Sequence, residues 1–242
     1  MTPRALLLLL LLLAAPAGEA LIYLPDAAAP AEIAATLRAA PALAAWQVRA
    51  VAKHRAFVTA LTPAVDAVLC PAAALPAGWQ PTRVLGRGGV RHERLALVAI
   101  DPAVDRARLA AGTVGLLLDG PREGLEATWA ALMPGIGVGH LRPAARAEDV
   151  PRLLGLEMAQ ACLLTPAMRA EAERVFPGAV RELAQSRARW RPLLALRAQA
   201  PADATAFLDL PPAALAALGG DAFLPLPDPP PADWRAPLDA EP

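Results

Sequence analysis

The sequence predicts an α/β protein built from βα units, of a length that suits one large domain or two small lobes. Three observations predict it. From residue 21 onward, short apolar runs closed by Pro, Gly or Asp alternate with Ala-, Leu- and Arg-rich segments of helical period. These units fall into two series, one over residues 21–70 and the other over residues 95–164. After the second series, an apolar run at residues 191–198 returns as one more strand. Strands joined by crossover helices are the arrangement that such a rhythm predicts.

Each element has a local reason. Leu21-Ile22-Tyr23-Leu24 is the first strand, stopped by Pro25-Asp26. Pro30 opens a helical segment carrying Ile33, Leu37 and Leu43, because a proline in the first turn presets the backbone where no hydrogen bond is lost. A strand over residues 46–52 and a helix over 54–61 follow. Ala64-Val65-Asp66-Ala67-Val68-Leu69-Cys70 is a buried strand ended by Pro71. A loop with Pro76, Gly78 and Pro81 leads to a short strand at residues 82–86, and Arg87-Gly88-Gly89 then makes a turn or a hinge.

The second series opens with a strand at residues 95–100, stopped by Asp101-Pro102, and a helix at 103–110. Thr113-Val114-Gly115-Leu116-Leu117-Leu118 is the clearest buried strand, broken by Asp119-Gly120-Pro121 directly into a helix over residues 122–132. A strand is expected at 136–141, a helix at 148–156 and a strand at 159–164. Residues 168–186 read as mostly helix, interrupted at Pro177-Gly178. A helical segment at 212–218 and an extended, proline-rich tail from residue 225 follow.

Residues 1–20 read as an export signal. Arg4 precedes the apolar run from Leu6 to Ala15, which is short for a membrane-spanning helix, and Ala15-Pro16-Ala17 or Gly18-Glu19-Ala20 offers small residues where a signal peptidase reads. The mature chain is then expected to begin near Gly18 or Leu21 and to be soluble, in the periplasm or secreted; the alternative is a retained anchor. Neither cysteine ends this segment, so a lipid on an N-terminal cysteine is not available.

Composition excludes several function classes. Lys and Arg number 23 against 23 Asp and Glu, so no overall basic field draws the chain to nucleic acid, and no nucleic-acid partner is expected. With 56% hydrophobic residues the chain can bury a core unaided. Cys70 and Cys162 either pair as a disulfide, which an exported protein permits, or serve as small buried strand residues. His54, His92 and His140 lie far apart, and neither they nor the cysteines show metal-binding spacing. No cofactor or metal is therefore expected. Without a GxSxG elbow, a P-loop or an HExxH motif, an enzyme has no support. Gly135-Ile136-Gly137-Val138-Gly139 leads into a strand, where a dinucleotide fingerprint needs strand, glycine loop and then helix. Glu123 and Glu126, three apart, read as a solvated helix face.

The order of elements resembles that of the type II periplasmic solute-binding proteins, particularly the phosphate- and phosphonate-binding components of ABC transporters. Asp66-Ala67-Val68-Leu69, the strand at residues 95–100 and Thr113-Val114-Gly115-Leu116-Leu117 are similar to the corresponding segments, as are Glu148-Asp149-Val150-Pro151-Arg152-Leu153-Leu154 and residues 158–165. The resemblance is of pattern more than of residue identity, over residues 21–198. It implies a first lobe over residues 21–92, a second over 93–190, a return to the first over 191–224 and a tail over 225–242. It also implies capture of a small, in the first instance anionic, solute for an ABC-type transporter or a membrane sensor. The Ser/Thr-rich turn usual in phosphonate binders is not evident: the loops after Tyr23 and Cys70 carry Pro25-Asp26 and Pro71-Ala72-Ala73. A second reading is a non-catalytic cell-envelope accessory or scaffold on a degenerate version of this fold, with the tail as a partner-binding strip.

Open α/β sheets place ligands beyond the carboxyl ends of their strands, where helix N-termini offer free amide hydrogens. The candidate ligand-binding residues are accordingly Asp26, Cys70, Asp119, Gly120, Arg122 and Thr165. Asp119-Gly120-Pro121-Arg122 fits such a position best. Arg122 offers a bidentate contact to an oxyanion, or stands as a solvated first-turn charge. Asp26 receives a cationic or hydroxyl group, or caps the next helix. Cys70 and Thr165 end strands, as ligand contacts or as packing and turn residues.

Overall fold

The structure is a computed structural model that describes residues 18–27, 29–198 and 205–238. Residues 1–17 of the expected export signal lie outside the described residues. The strands are β1 (Gly18–Tyr23), β2 (Trp46–Val51), β3 (Val65–Cys70), β4 (Trp79–Gly86), β5 (His92–Glu93), β6 (Ala96–Ala99), β7 (Thr113–Leu117), β8 (His140–Ala144), β9 (Ala161–Leu164), β10 (Arg181–Gln185), β11 (Arg189–Trp190), β12 (Leu193–Arg197) and β13 (Ala222–Pro225).

They form a mixed α/β molecule of two lobes. The first holds a six-stranded sheet in the order β13-β4-β12-β3-β1-β2, the second a five-stranded sheet in the order β10-β6-β9-β7-β8. Within each lobe three strands run parallel: β2, β1 and β3 in the first, β8, β7 and β9 in the second. Parallel neighbours need crossover connections, and the helices Pro30–Ala39 and His54–Ala60 supply them in the first lobe. Next to each parallel trio lies an antiparallel strand that connects with the other lobe: β6 just after the chain enters the second lobe, β12 just after it returns. Between them the antiparallel pair β5 and β11 joins the lobes, with Glu93 opposite Arg189 and His92 opposite Trp190.

Both sheets are covered on both faces. Side chains alternate along β1, so Ala20 and Ile22 enter one core with Leu37, Leu43 and Leu69, while Leu21 and Tyr23 enter another with Phe57, Val68 and Leu193. In the second lobe Leu97, Val114 and Leu163 face one core, and Val98, Leu117 and Cys162 the other. This explains why the parallel strands read as continuous apolar runs and not as alternating ones.

Several elements depart from sequence expectation. The strand expected at residues 136–141 is β8, four residues later, because the glycine loop before it packs against the preceding strand connection: a Cβ on Gly139 would lie 2.6 Å from the Ala111 carbonyl carbon. Residues 168–186 are helix only over Pro166–Val175; beyond Pro177-Gly178, Arg181–Gln185 pairs with β6 as an edge strand. Arg, Glu, Leu, Ala and Gln are good helix formers, and the open edge of β6 overrides that preference. β13 closes the other sheet edge against β4. Beyond it the tail packs back: Trp234 meets Trp190 edge-on at 5.1 Å, and Leu238 donates its amide to the Ala188 carbonyl. Among the described residues, no helix is long and apolar enough to cross a membrane.

Candidate functional site

Four strands end toward the space between the lobes, and the loops that follow them line one cavity of about 510 Å³. From the first lobe come Leu24-Pro25-Asp26-Ala27 after β1 and Pro71-Ala72-Ala73 after β3. From the second come Leu118-Asp119-Gly120-Pro121 after β7 and Thr165-Pro166-Ala167 after β9. Ligand sites of open α/β sheets lie beyond the carboxyl ends of strands, and here two such sheets face each other. The linking strands supply Glu93 and Arg189, and the tail adds Trp234 and Arg235. The volume is within the range of cavities that hold small molecules.

The lobes touch across this cavity. Tyr23 Oη donates to the Leu118 carbonyl at 3.2 Å. Tyr23 is fully buried and stacks on Phe57 at 5.0 Å; burial, reinforced by Asp119, Cys70 and Asp26, pushes its phenol far above the ordinary range, so it remains a neutral donor. Gly120 approaches Ala73 so closely that a Cβ at that position would lie 3.3 Å from both the Ala73 side chain and its carbonyl oxygen. Thr165 caps the helix Pro166–Val175 by accepting from the Met168 amide, and its hydroxyl also meets the Asp26 carboxylate from the opposite lobe.

The charged groups form a nearly closed set. Arg189 Nη2 and Nε donate to Glu93 Oε1 at 2.8 and 3.0 Å, and Nη1 donates to Asp119 Oδ2. Arg191 Nη1 reaches Glu93 Oε2 at 3.3 Å, while its Nε and Nη2 donate to the carbonyls of Leu85 and Gly219. Arg235 Nη2 is turned to the Leu75 carbonyl. Asp26 differs from the other two carboxylates. Its side chain is exposed, yet protein atoms of both lobes crowd the water around it, and this desolvation pushes its carboxyl up to about 6. The nearby Glu93 and Asp119 push in the same direction, outweighing the pull of Arg189 and of the Thr165 hydroxyl.

Of the residues singled out from sequence, Asp26, Asp119, Gly120 and Thr165 line this cavity. Cys70 does not: it is fully buried among Leu21, Tyr23 and Val68, where burial drives its thiol up. Arg122 is exposed and lines a separate surface depression of the second lobe with Glu123 and His140. Cys70 and Cys162 are free thiols in the cores of different lobes, and Cys162 donates to the Val150 carbonyl at 3.2 Å. Among the described residues, no group of three His, Cys, Asp or Glu side chains is placed to hold a metal ion.

Sequence reasoning missed Glu93, Arg189, Arg191 and the tail residues. A signal for the arginines existed: Arg187, Arg189 and Arg191 alternate with Ala188 and Trp190, the period of a strand. Nothing local links them to Glu93, almost a hundred positions earlier.

No family model matches the chain, and no curated protein matches it. Solved structures do. The chain is similar to PhnD1 from Prochlorococcus marinus in complex with methylphosphonate, with a TM-score of 0.64 and 9% identity, over 87% of this chain and 93% of that one. It is similar to a binding-protein component of an ABC phosphonate transporter from Pseudomonas aeruginosa, with a TM-score of 0.63 and 12% identity, over 86% of this chain and 80% of that one. A third is the VFT2 domain of Bordetella pertussis BvgS, with a TM-score of 0.52 and 14% identity, over 90% of this chain and 97% of that one.

Proposed function

We propose, for a chain with the two-lobed α/β fold of the type II periplasmic solute-binding proteins, that it is an exported, non-catalytic binding protein. It captures a small solute between its lobes and presents that solute to an ABC-type transporter or a membrane sensor. The observation that carries this reading is the convergence of four strand ends, two from each lobe, on one interlobe cavity beside a two-stranded link. Two lobes joined by so slender a connection can open and close around a ligand at small cost to either core.

The test is small-angle scattering of the mature protein with and without a mixed pool of small anions, amines, amino acids and sugars, paired with a thermal-shift screen of the same compounds. Compaction together with a raised Tm supports capture. A flat response in both measurements sinks the reading.

One observation favours the second reading, a cell-envelope accessory protein that binds no solute. Arg189 already satisfies Glu93 and Asp119, and Tyr23 and Gly120 already bring the lobes together through protein contacts alone. Pull-down from envelope extract distinguishes the two, since an accessory protein retains a specific protein partner with no small molecule added.

A further inference from the structure

The cavity's charges do not cancel. Three carboxylates face it, those of Asp26, Glu93 and Asp119, with four guanidinium groups, of which Arg189 and Arg191 pair with Glu93 and Asp119 while Arg87 and Arg235 lie exposed. Arg189 divides its fork between Glu93 and Asp119, and Arg191 spends its remaining donors on the Leu85 and Gly219 carbonyls. An incoming oxyanion that engaged Arg189 or Arg191 would have to break one of these pairs, stranding a half-buried carboxylate. Arg235 donates to the Leu75 carbonyl, and both it and Arg87 are exposed, where water and salt screen them.

Asp26 has the opposite character. Its carboxylate accepts the Thr165 hydroxyl but has no basic side chain of its own, and it is exposed to the cavity. The remaining lining is largely aliphatic, including Leu24, Ala27, Ala72, Leu118, Leu125 and Ala131. Arg189, the guanidinium that acts on Asp26, is committed to Glu93 and Asp119, so the group that supplies Asp26 with a counter-charge of its own without disturbing those pairs is a cation.

We infer that the cavity takes a solute carrying an ammonium group on a compact apolar body, with the ammonium on the Asp26 carboxylate and the body against the aliphatic wall. This rests on the solute-binding reading and narrows its solute class away from the oxyanions that the element order first implied. Burial, then Glu93 and Asp119, raise the Asp26 carboxyl; a bound ammonium draws it back down, and binding weakens when acid protonates it. The charged and polar groups around Asp26 are Arg189, Glu93, Asp119 and Thr165.

The test is calorimetry on the mature protein at neutral pH with three sets of probes: n-butylamine, cyclohexylamine and phenethylamine; inorganic phosphate and methylphosphonate; and glucose. The expected result is binding within the amine set, weakened at least tenfold by Asp26→Asn while the thermal stability of that variant is unchanged or raised. Amine binding that Asp26→Asn leaves intact overturns the assignment of Asp26. Phosphate or methylphosphonate binding in preference to the amines overturns the solute class but leaves the binding-protein reading standing. Silence across all three sets, with no compaction on the broader pool, removes both.

Discussion

Tyr23 at the end of β1 and Leu118 just beyond β7 share a 3.2 Å hydrogen bond that joins the cavity-facing ends of the two lobes. Gly120, two residues on, leaves only the space of an absent side chain between itself and Ala73. A side chain at position 120 would therefore crowd Ala73 across the cavity. Gly120→Val drives its methyl groups into the Ala73 backbone and holds the cleft open. Scattering on this variant is expected to give a larger radius of gyration than the parent and no compaction with any solute; an unchanged radius would show that closure tolerates the added bulk.

Arg189 binds two carboxylates with one planar fork, which a lysine's single ammonium cannot reproduce. Arg189→Met leaves Glu93 and Asp119 half-buried without a shared counter-charge. The expected loss is about 3 kcal/mol, read as a Tm lowered by roughly 6–12 °C for a chain of this size. Arg189→Lys should recover only part of it. Thermal denaturation at low and high salt checks both, and a parental Tm for the methionine variant would show the pairs contribute nothing net.

Asp26 sets a pH dependence whose direction follows from its raised carboxyl. In the unfolded chain this group ionises near its ordinary value of 3.8, whereas in the folded protein it holds its proton up to about 6. Between those values the native state binds more protons than the unfolded state, so this group's contribution to stability falls as pH rises through the window. Above pH 6 the full penalty of the ionised group is present. Asp26→Asn removes it. The variant is expected to match the parent near pH 4 and to melt at a higher temperature near pH 7, in the absence of any solute; equal melting curves at both pH values would place Asp26 in ordinary solvent.

Gly115 in β7 lies against the other face of the second sheet. A Cβ there would stand 2.7 Å from Cys162 Sγ and 2.8 Å from Leu153 Cδ1. Gly115→Ala is expected to cost about 1–3 kcal/mol through overpacking. Adding Cys162→Ala should return part of that loss, because it removes the sulfur in the way. Denaturant melts of the two single variants and the double variant measure the coupling, and additive losses would rule out the collision.

The pairing of residues 18–20 bears on the two cleavage sites expected from the sequence. Gly18, Glu19 and Ala20 of β1 pair with Trp46, Gln47 and Val48 of β2. Glu19 further donates its amide to Asp66 at 3.1 Å and forms an ion pair with Arg49. Cleavage after Ala20 removes these contacts, whereas cleavage after Ala17 keeps them all. Under the proposed export, intact mass of the mature protein is expected to start at Gly18; a start at Leu21 would mean that β1 is trimmed by three residues.

The sequence by itself determined the elements that bury apolar surface on both faces. β1, β3, β6, β7 and β9 are legible as runs because both sides of each strand meet a core, and Pro or Gly ends them where the backbone turns. For the same reason the loops after β1, β7 and β9 were legible as site candidates, since strand ends are marked by local chemistry. Cys70 shares that local signature, yet its side chain turns into the core, a choice made by the parity of the strand and the packing of the sheet. Only the tertiary structure decided the rest. β10 is an edge strand because β6 had an open side, not because Arg181–Gln185 prefers extension. Glu93 and Arg189 meet because two crossings between lobes run antiparallel, which no local window can register. The character of the cavity was hidden for the same reason: whether a carboxylate is paired depends on partners as far apart in the chain as Glu93 and Arg191, 98 residues, and only folding sets those distances.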